Sequence, residues 1–417
     1  MISARPRLKS IIIKLAIIIA IIGIIAFVWR YQILQYSAEK LVRKSLPDYI
    51  TVEKMSFDFR NSRIVFGGMK ILNPPNFYEK YLIEIGEVEC RYKIKGGNIL
   101  SGLEIFSPII RKPVLYIDRL SDGRTNLQEM PSFMQKADQI NRAPRKASGG
   151  GEAGKGFGKA GAADHGNLAG IVKLPEDFIV KDGKVIFMDG MVRPGPYMIT
   201  LDGIESNLKL KLDSTYVRAM NIATTGSGFI NGHPNQTIKW DTKYDPTTPA
   251  LTMSNNFTVS GVDILTFLPY YDKYSPFVFG KGYFSGSLIF DFDNGSIGSN
   301  DEILLSQMSF SVKKGYENAQ FLETTVPDLV KYFTSKSGDI IFDFKIKGPI
   351  SNPQFYLGPL SKQAVAAMAI DKISQALKEA SGNQANPQGA AASGPKSDID
   401  KAAQYIKMFK GLLKENK

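Results

Sequence analysis

The chain has 417 residues, 52 Lys and Arg against 40 Asp and Glu, and 43% hydrophobic residues, which excludes a disordered chain. A single cysteine, Cys90, excludes an internal disulfide and any multi-cysteine metal site. Two histidines, His165 and His233, leave little for a histidine-based metal centre or catalytic triad, so composition disfavours most familiar enzyme classes.

Residues 1–10 are a basic segment and residues 11–29 a predicted transmembrane anchor. Ile11 to Trp29 is interrupted by one charge, Lys14, which lies one turn inside and can reach the headgroups. A helix of that length is roughly 28 Å long, close to the hydrocarbon thickness of a bilayer. Arg5, Arg7 and Lys9 precede it, and Trp29 and Tyr31 end it as interfacial aromatics. A cleaved signal peptide fits poorly, because Phe27-Val28-Trp29-Arg30-Tyr31 has no small-x-small site. The early positive charges favour the N-terminus inside, with the bulk of the chain across the membrane. The first 50 residues hold eight positive and two negative side chains, so half of the formal +12 lies at the membrane. No basic, aromatic-interleaved stripe marks the rest, and no nucleic-acid partner is expected.

Two β modules are predicted, over 45–136 and 168–360. In Glu87 to Lys95 the residues Val88, Cys90, Tyr92 and Ile94 share one face and charges take the other. Leu208, Leu210 and Leu212 alternate with polar residues in the same way, as do Phe342, Phe344 and Ile346 with Asp343 and Lys345, which are placed on the wet side. Phe284, Leu288, Phe290 and Phe292 share a face, and Met308, Phe310 and Val312 another. Period two marks a sheet apolar on one face and wet on the other, usually antiparallel. Gly97-Asn98, Asp122-Gly123, Asp182-Gly183, Asp202-Gly203 and Asn294-Gly295 are read as turns between these runs. At about 12–14 residues per strand and turn, the modules hold roughly 20 strands.

Residues 137–167 are read as a flexible Gly-rich linker, with Ser148-Gly149-Gly150-Gly151 and Gly154-Lys155-Gly156-Phe157-Gly158 but no Gly-Lys-Ser/Thr of a phosphate loop. His165 falls in this linker, and His233 in the turn sequence Asn231-Gly232-His233-Pro234. Asp263–Tyr270 and Pro327–Phe333 are predicted short helices. Residues 361–380 are predicted as an amphipathic helix with Val365, Ile370, Ile373 and Leu377 on one stripe. A second linker, 381–396, leads to an amphipathic helix over 397–417 with the stripe Ile399, Ala402, Ile406, Phe409 and Leu413. An internal echo relates Phe59–Leu72, around Ile64-Val65-Phe66, to Phe178–Met191, around Val185-Ile186-Phe187, which suggests a hairpin unit used twice.

Several segments in order resemble the AsmA-like family of inner-membrane-anchored envelope proteins of Gram-negative bacteria. Ile71-Leu72-Asn73-Pro74-Pro75-Asn76-Phe77 follows Phe57-Asp58-Phe59, and Pro113-Val114-Leu115-Tyr116-Ile117 precedes Gly123-Arg124-Thr125-Asn126-Leu127. Val262-Asp263-Ile264, Leu268-Pro269-Tyr270-Tyr271, Pro327-Asp328-Leu329 and Gly348-Pro349-Ile350-Ser351-Asn352-Pro353 resemble its C-terminal half. The resemblance covers roughly residues 10 to 360 apart from the linker, and no motif in it is catalytic. It implies a mainly β fold in which a long twisted antiparallel sheet curls into an open apolar groove. It also implies a periplasmic role in handling phospholipid acyl chains between the inner and outer membranes.

The expected protein is therefore a non-enzyme without metal or cofactor. Its expected partners are phospholipid, the inner membrane, and outer-membrane or periplasmic envelope proteins. Val88, Cys90, Tyr92, Ile94, Leu208, Leu210, Leu212, Phe290, Phe292, Phe310, Phe342, Phe344 and Ile346 are the candidate groove residues. Two alternatives stay open: a two-sheet sandwich in which these residues form an ordinary core, and a membrane-anchored scaffold that recruits partners through its sheet edges.

Overall fold

The computed structural model describes residues 32, 35–40, 42–44 and 46–382, except 95–102, 143–171, 174, 193, 214–217, 318–319 and 322–323. The predicted anchor 11–29, the turn Gly97-Asn98, most of the Gly-rich segment and the predicted helix 397–417 lie outside these residues. Among the described residues no helix is long and apolar enough to cross a membrane. The fold is mainly β, and the chain divides into two compact units, Met1–Lys181 and Asp182–Lys417.

In the first unit β1 (Ile50–Asp58), β2 (Arg63–Leu72), β3 (Tyr81–Ile94) and β4 (Leu103–Arg119) pair in sequence order, each antiparallel to the next. A two-residue β5 (Val172–Lys173) lies parallel to β4. Register sets Ile64 opposite Cys90 and Phe66 opposite Val88, so the apolar positions of neighbouring strands meet on one face. β1 is an edge strand, and Arg43 donates to the carbonyls of Val52 and Glu53 along it. A charged side chain on exposed edge acceptors discourages pairing with a foreign strand.

A helix that periodicity alone does not reveal, α1 (Asn126–Arg142), follows β4. It extends six residues into the segment read as linker. Its start is a reciprocal cap: the Thr125 hydroxyl accepts from the Gln128 amide, and the Thr125 amide donates to Oε1 of Gln128. Asn126 and Asp118 are fully buried at this junction. Asn126 donates to Oδ1 of Asn73 and to the Tyr116 carbonyl and accepts from the Asp118 amide. Oδ2 of Asp118 accepts from Asn73 and from the Glu79 amide. These hydrogen bonds tie the β2–β3 loop to β4 and α1, so the Asn-Pro segment and the Asn126 segment of the resemblance are structural.

In the second unit the strand order is β6 (Asp177–Asp189, which runs across the unit boundary), β7 (Tyr197–Asp213), β8 (Arg218–Ile230), β9 (Thr237–Tyr244), β10 (Met253–Asp263), β11 (Phe277–Asp293), β12 (Ser296–Val312), β15 (Ile340–Pro349) and β16 (Gln354–Leu357). A separate hairpin, β13 (Gln320–Phe321) and β14 (Thr324–Thr325), precedes the helix α3 described below. Among the described residues the ladder stays open, with β16 paired to β15 alone.

Among the described residues the strands are longer and fewer than predicted, because two of the expected turns lie inside strands. Asn294 and Gly295, both at positive φ, make the β11–β12 turn as expected. Asp182 (φ 52°) and Gly203 (φ 58°) instead lie inside continuous strands. A left-handed residue serves a bulge as well as a turn. The register of β7 on β8 shifts at Gly203, where a Cβ would stand 2.2 Å from the Phe229 ring. The internal echo divides on the same point. Its first copy turns at residues 59–62, and its second runs straight through Asp182 in β6.

The short helices fall where predicted: a 3-10 turn at Ile264–Phe267 continued by α2 (Leu268–Tyr271), and α3 (Val326–Phe333) with proline in its first turn. The terminal helix α4 (Pro359–Gly382) buries Val365, Met368 and Ala369 against Tyr332, Phe333, Leu357 and Ile373. Ile370, placed on the buried stripe by sequence, is 63% exposed. Five residues from Val365 is 500° of helix, about 140° off that face. Asp343 likewise leaves the wet side assigned to it: it is buried, and its carboxylate accepts from the Leu360 and Ser361 amides at the start of α4. The Ser361 hydroxyl accepts from the Asp343 amide in return. Asp343→Ala leaves two helix-terminal amides unsatisfied, and the expected cost is about 2 kcal/mol. Limited proteolysis of the full chain is expected to cut α4 first in this variant.

Candidate functional site

Register defines the apolar face of the second unit. Ile238 lies opposite Val259, Val259 opposite Gly286, Gly286 opposite Ile303, and Ile303 opposite Phe342. One row along the strands, Trp240, Phe257 and Leu288 line up in the same way. Five strands thus present a continuous apolar surface, as period two requires.

Three cavities open on this face. One, of about 520 Å³, is lined by residues including Ile264, Phe267, Tyr271, Phe284, Leu305, Phe333 and Phe342. A second, also about 520 Å³, is lined by residues including Ile204, Trp240, Phe257, Phe267, Phe284 and Leu288. The third, about 390 Å³, lies among Val185, Phe187, Ile199, Leu201, Ile238 and Phe267. Phe267 borders all three and Phe284 two, so they adjoin.

Phe267 owes its place to the 3-10 turn. Oδ1 of Asp263 accepts from the Leu265 amide, the Tyr271 hydroxyl donates to the Ile264 carbonyl, and the Tyr197 hydroxyl donates to the Thr266 carbonyl. Beneath it Ile230, Val259 and Val262 form a buried cluster with Phe267, Phe284 and Leu288. At the far wall, rings follow one another from Phe333 to Phe342 (5.7 Å), Phe344 (5.6 Å) and Phe355 (6.4 Å). Phe355 is 69% exposed on β16.

Of the thirteen residues singled out by sequence, Phe342 lines one of these cavities. Val88, Cys90 and Tyr92 belong to the first unit, where Cys90 and Tyr92 are buried with Ile64 against Phe57, Phe59, Phe66 and Ile105. Burial, with the nearby Glu89 charge, pushes the Cys90 thiol up to about 11, so it stays protonated at neutral pH. Leu208 and Leu210 on β7, and Phe290 and Phe292 on β11, are half-buried and lie farther along their strands than the cavities. Phe310 packs on Phe277 at 4.8 Å and on Phe279 at 6.2 Å. Phe344 and Ile346 face Leu357 and Phe355 of β16. The side chains of Ile94 and Leu212 lie outside the described residues.

The residues that sequence reasoning missed include Trp240, Phe257, Val259, Phe267, Ile303 and Leu305. The signal was present in Ile238, Trp240, Thr242 and Tyr244, which alternate with charged and polar residues along β9.

A carboxylate interrupts the apolar face. Asp301 lies opposite Leu288 and Phe344 and is 2% exposed. It accepts from the Ser299 hydroxyl and the Ile289 amide, and burial raises its pKa. The folded state therefore holds this proton more tightly than the unfolded chain. Stability is lost as pH rises from the ordinary value of 3.8 through the raised folded value, and the penalty persists above it. Asp301→Asn is expected to flatten that slope, read as urea midpoints across the acid range.

Among the described residues no group of three or more His, Cys, Asp or Glu could hold a metal ion. No protein-family model matches the sequence, and no characterised protein matches it significantly. The class that can be stated is a mainly antiparallel β protein whose second unit carries adjoining apolar cavities.

Proposed function

We propose that this chain is a non-enzymatic, inner-membrane-anchored periplasmic protein. In this reading it holds the acyl chains of phospholipid on the apolar face of its second unit and contributes to lipid transport or outer-membrane biogenesis. The observation that carries this reading is the set of three adjoining apolar cavities around Phe267 and Phe284. Volumes of this order suit a small hydrophobic ligand, and apolar side chains without convergent charges suit hydrocarbon. The predicted anchor at 11–29 and the resemblance to AsmA-like proteins support the location, and a sheet that curls around its guest is the matching form of the groove. The full chain, purified in mild detergent from a Gram-negative host, is expected to retain phospholipid detectable by native mass spectrometry. A protein free of lipid under those conditions contradicts the reading.

One observation favours a second reading, a scaffold. β16 is an edge strand carrying the exposed Phe355, which suits strand addition by an envelope partner. Recovery of the chain without lipid but with a stoichiometric protein partner, lost in Phe355→Lys, favours it over the first.

A further inference from the structure

A line of polar side chains runs over β8, β9 and β10 beside the cavities, and on β11 the apolar Phe290 separates it from Ser299 of β12. Register sets Thr224 of β8 opposite Thr242 of β9, Thr242 opposite Asn255 of β10, and, one strand beyond, Phe290 opposite Ser299 of β12. The Thr242 hydroxyl donates to Oδ1 of Asn255 at 2.9 Å, and the Trp240 indole donates to Oγ1 of Thr224 at 3.2 Å. Oγ1 of Thr224 also lies 2.9 Å from the Ser206 hydroxyl, and the Ser299 hydroxyl accepts from the Ile346 amide. Asn255 is 4% exposed and Ser299 8%. On one side of this belt lie the cavities. On the other a second apolar row, Tyr244, Met253, Phe292 and Ile297, runs across four strands, and none of its members lines a cavity.

We infer that on β8 to β10 this belt is the rigid wall that confines a bound acyl chain to the cavity side and keeps it off Tyr244 and Met253; this rests on the acyl-chain reading above. Thr224, Trp240 and Thr242 line the second cavity where it ends. An apolar cavity grows when side chains swing aside, which costs little when only dispersion contacts are exchanged. Here the side chains in the way are hydrogen-bonded to one another in apolar surroundings. Moving them leaves buried donors and acceptors unsatisfied, which is expensive. Apolar residues at Thr242 and Asn255 would extend to β9 and β10 the apolar continuity that Phe290 gives on β11. The polar pair thus sets where the chain ends and how it lies, across the strands rather than along them.

The double variant Thr242→Val/Asn255→Leu tests this, because replacing both partners of a buried hydrogen bond by apolar groups of similar shape is nearly neutral for folding. The probe is a sixteen-carbon fatty acid with a diazirine at its methyl end, photolysed on the full chain and mapped by peptide mass spectrometry. In the wild type, adducts are expected on Ile238, Phe257 and Ile303. Those on Tyr244 and Met253, across the Thr242–Asn255 pair, are expected to be about tenfold fewer, the factor that 1.4 kcal/mol supplies. The double variant is expected to bring the two sides within about twofold of each other. Equal labelling of both sides in the wild type, or an unchanged pattern in the variant, overturns the inference while leaving lipid binding intact. A wild type with no adduct anywhere on this face overturns the acyl-chain reading and the inference with it. Should the double variant unfold, Thr242→Val alone, with Thr242→Ser retaining the hydroxyl as its control, carries the same comparison.

Discussion

Leu305→Asp is expected to weaken acyl-chain binding by about a hundredfold, and Leu304→Asp to leave it unchanged. Leu305 lies opposite Phe284 and Ile340 and lines the cavity shared with Phe333 and Phe342, whereas Leu304 lies opposite Ser285 and Ile341 on the other side of the same strand. A carboxylate at 305 must shed water without a partner when hydrocarbon enters. That penalty is several kcal/mol, of which about 2.7 kcal/mol already gives two orders of magnitude. Leu305 is half-buried at the cavity rim, so its replacement stays hydrated in the empty protein and folding is retained. Titration with a fluorescent fatty acid, alongside a thermal melt of each variant, checks both halves. Equal losses in the two variants would mean that face alternation does not govern binding.

Asn126→Ala is expected to cost about 3–5 kcal/mol, the largest single-residue effect on stability in the first unit. Truncation strands three groups at once, two of them buried: the Asp118 amide and Oδ1 of Asn73, and the part-buried Tyr116 carbonyl. Each buried polar group left alone costs about 1–3 kcal/mol, and members of one network do not add fully. Burial raises the pKa of Asp118 in the same cluster, so the charge there depends on every remaining donor. Urea unfolding of the full chain measures the loss. A change below about 1 kcal/mol would mean that water replaces the asparagine without penalty.

Strand type and face were legible because period two needs only local sequence. Val88, Cys90 and Tyr92 do share a face, as do Phe342 and Phe344. The short helix at Val326 was legible through Pro327, and α1 was within reach through Thr125 and Gln128 as a capping box. What failed was the meaning of Asp182-Gly183 and Asp202-Gly203, because the same left-handed geometry closes a hairpin or sits within a continuous strand. Only the partner strand decides which. The cavities were illegible for a related reason. They depend on which row of one strand meets which row of the next, and on a 3-10 turn that carries Phe267 over that row. Asp343 was misread because the helix start that buries it lies 17 residues later in the chain.

Trp240 offers the most direct measurement. It stands on the wall of the second cavity, and Trp29 is the only other tryptophan in the chain. In a Trp29→Phe background, phospholipid vesicles whose acyl chains carry bromine are expected to quench Trp240 emission where plain vesicles do not. Leu305→Asp is expected to abolish the difference. Identical emission with brominated and plain chains, while the protein remains folded, contradicts the presence of hydrocarbon against this wall.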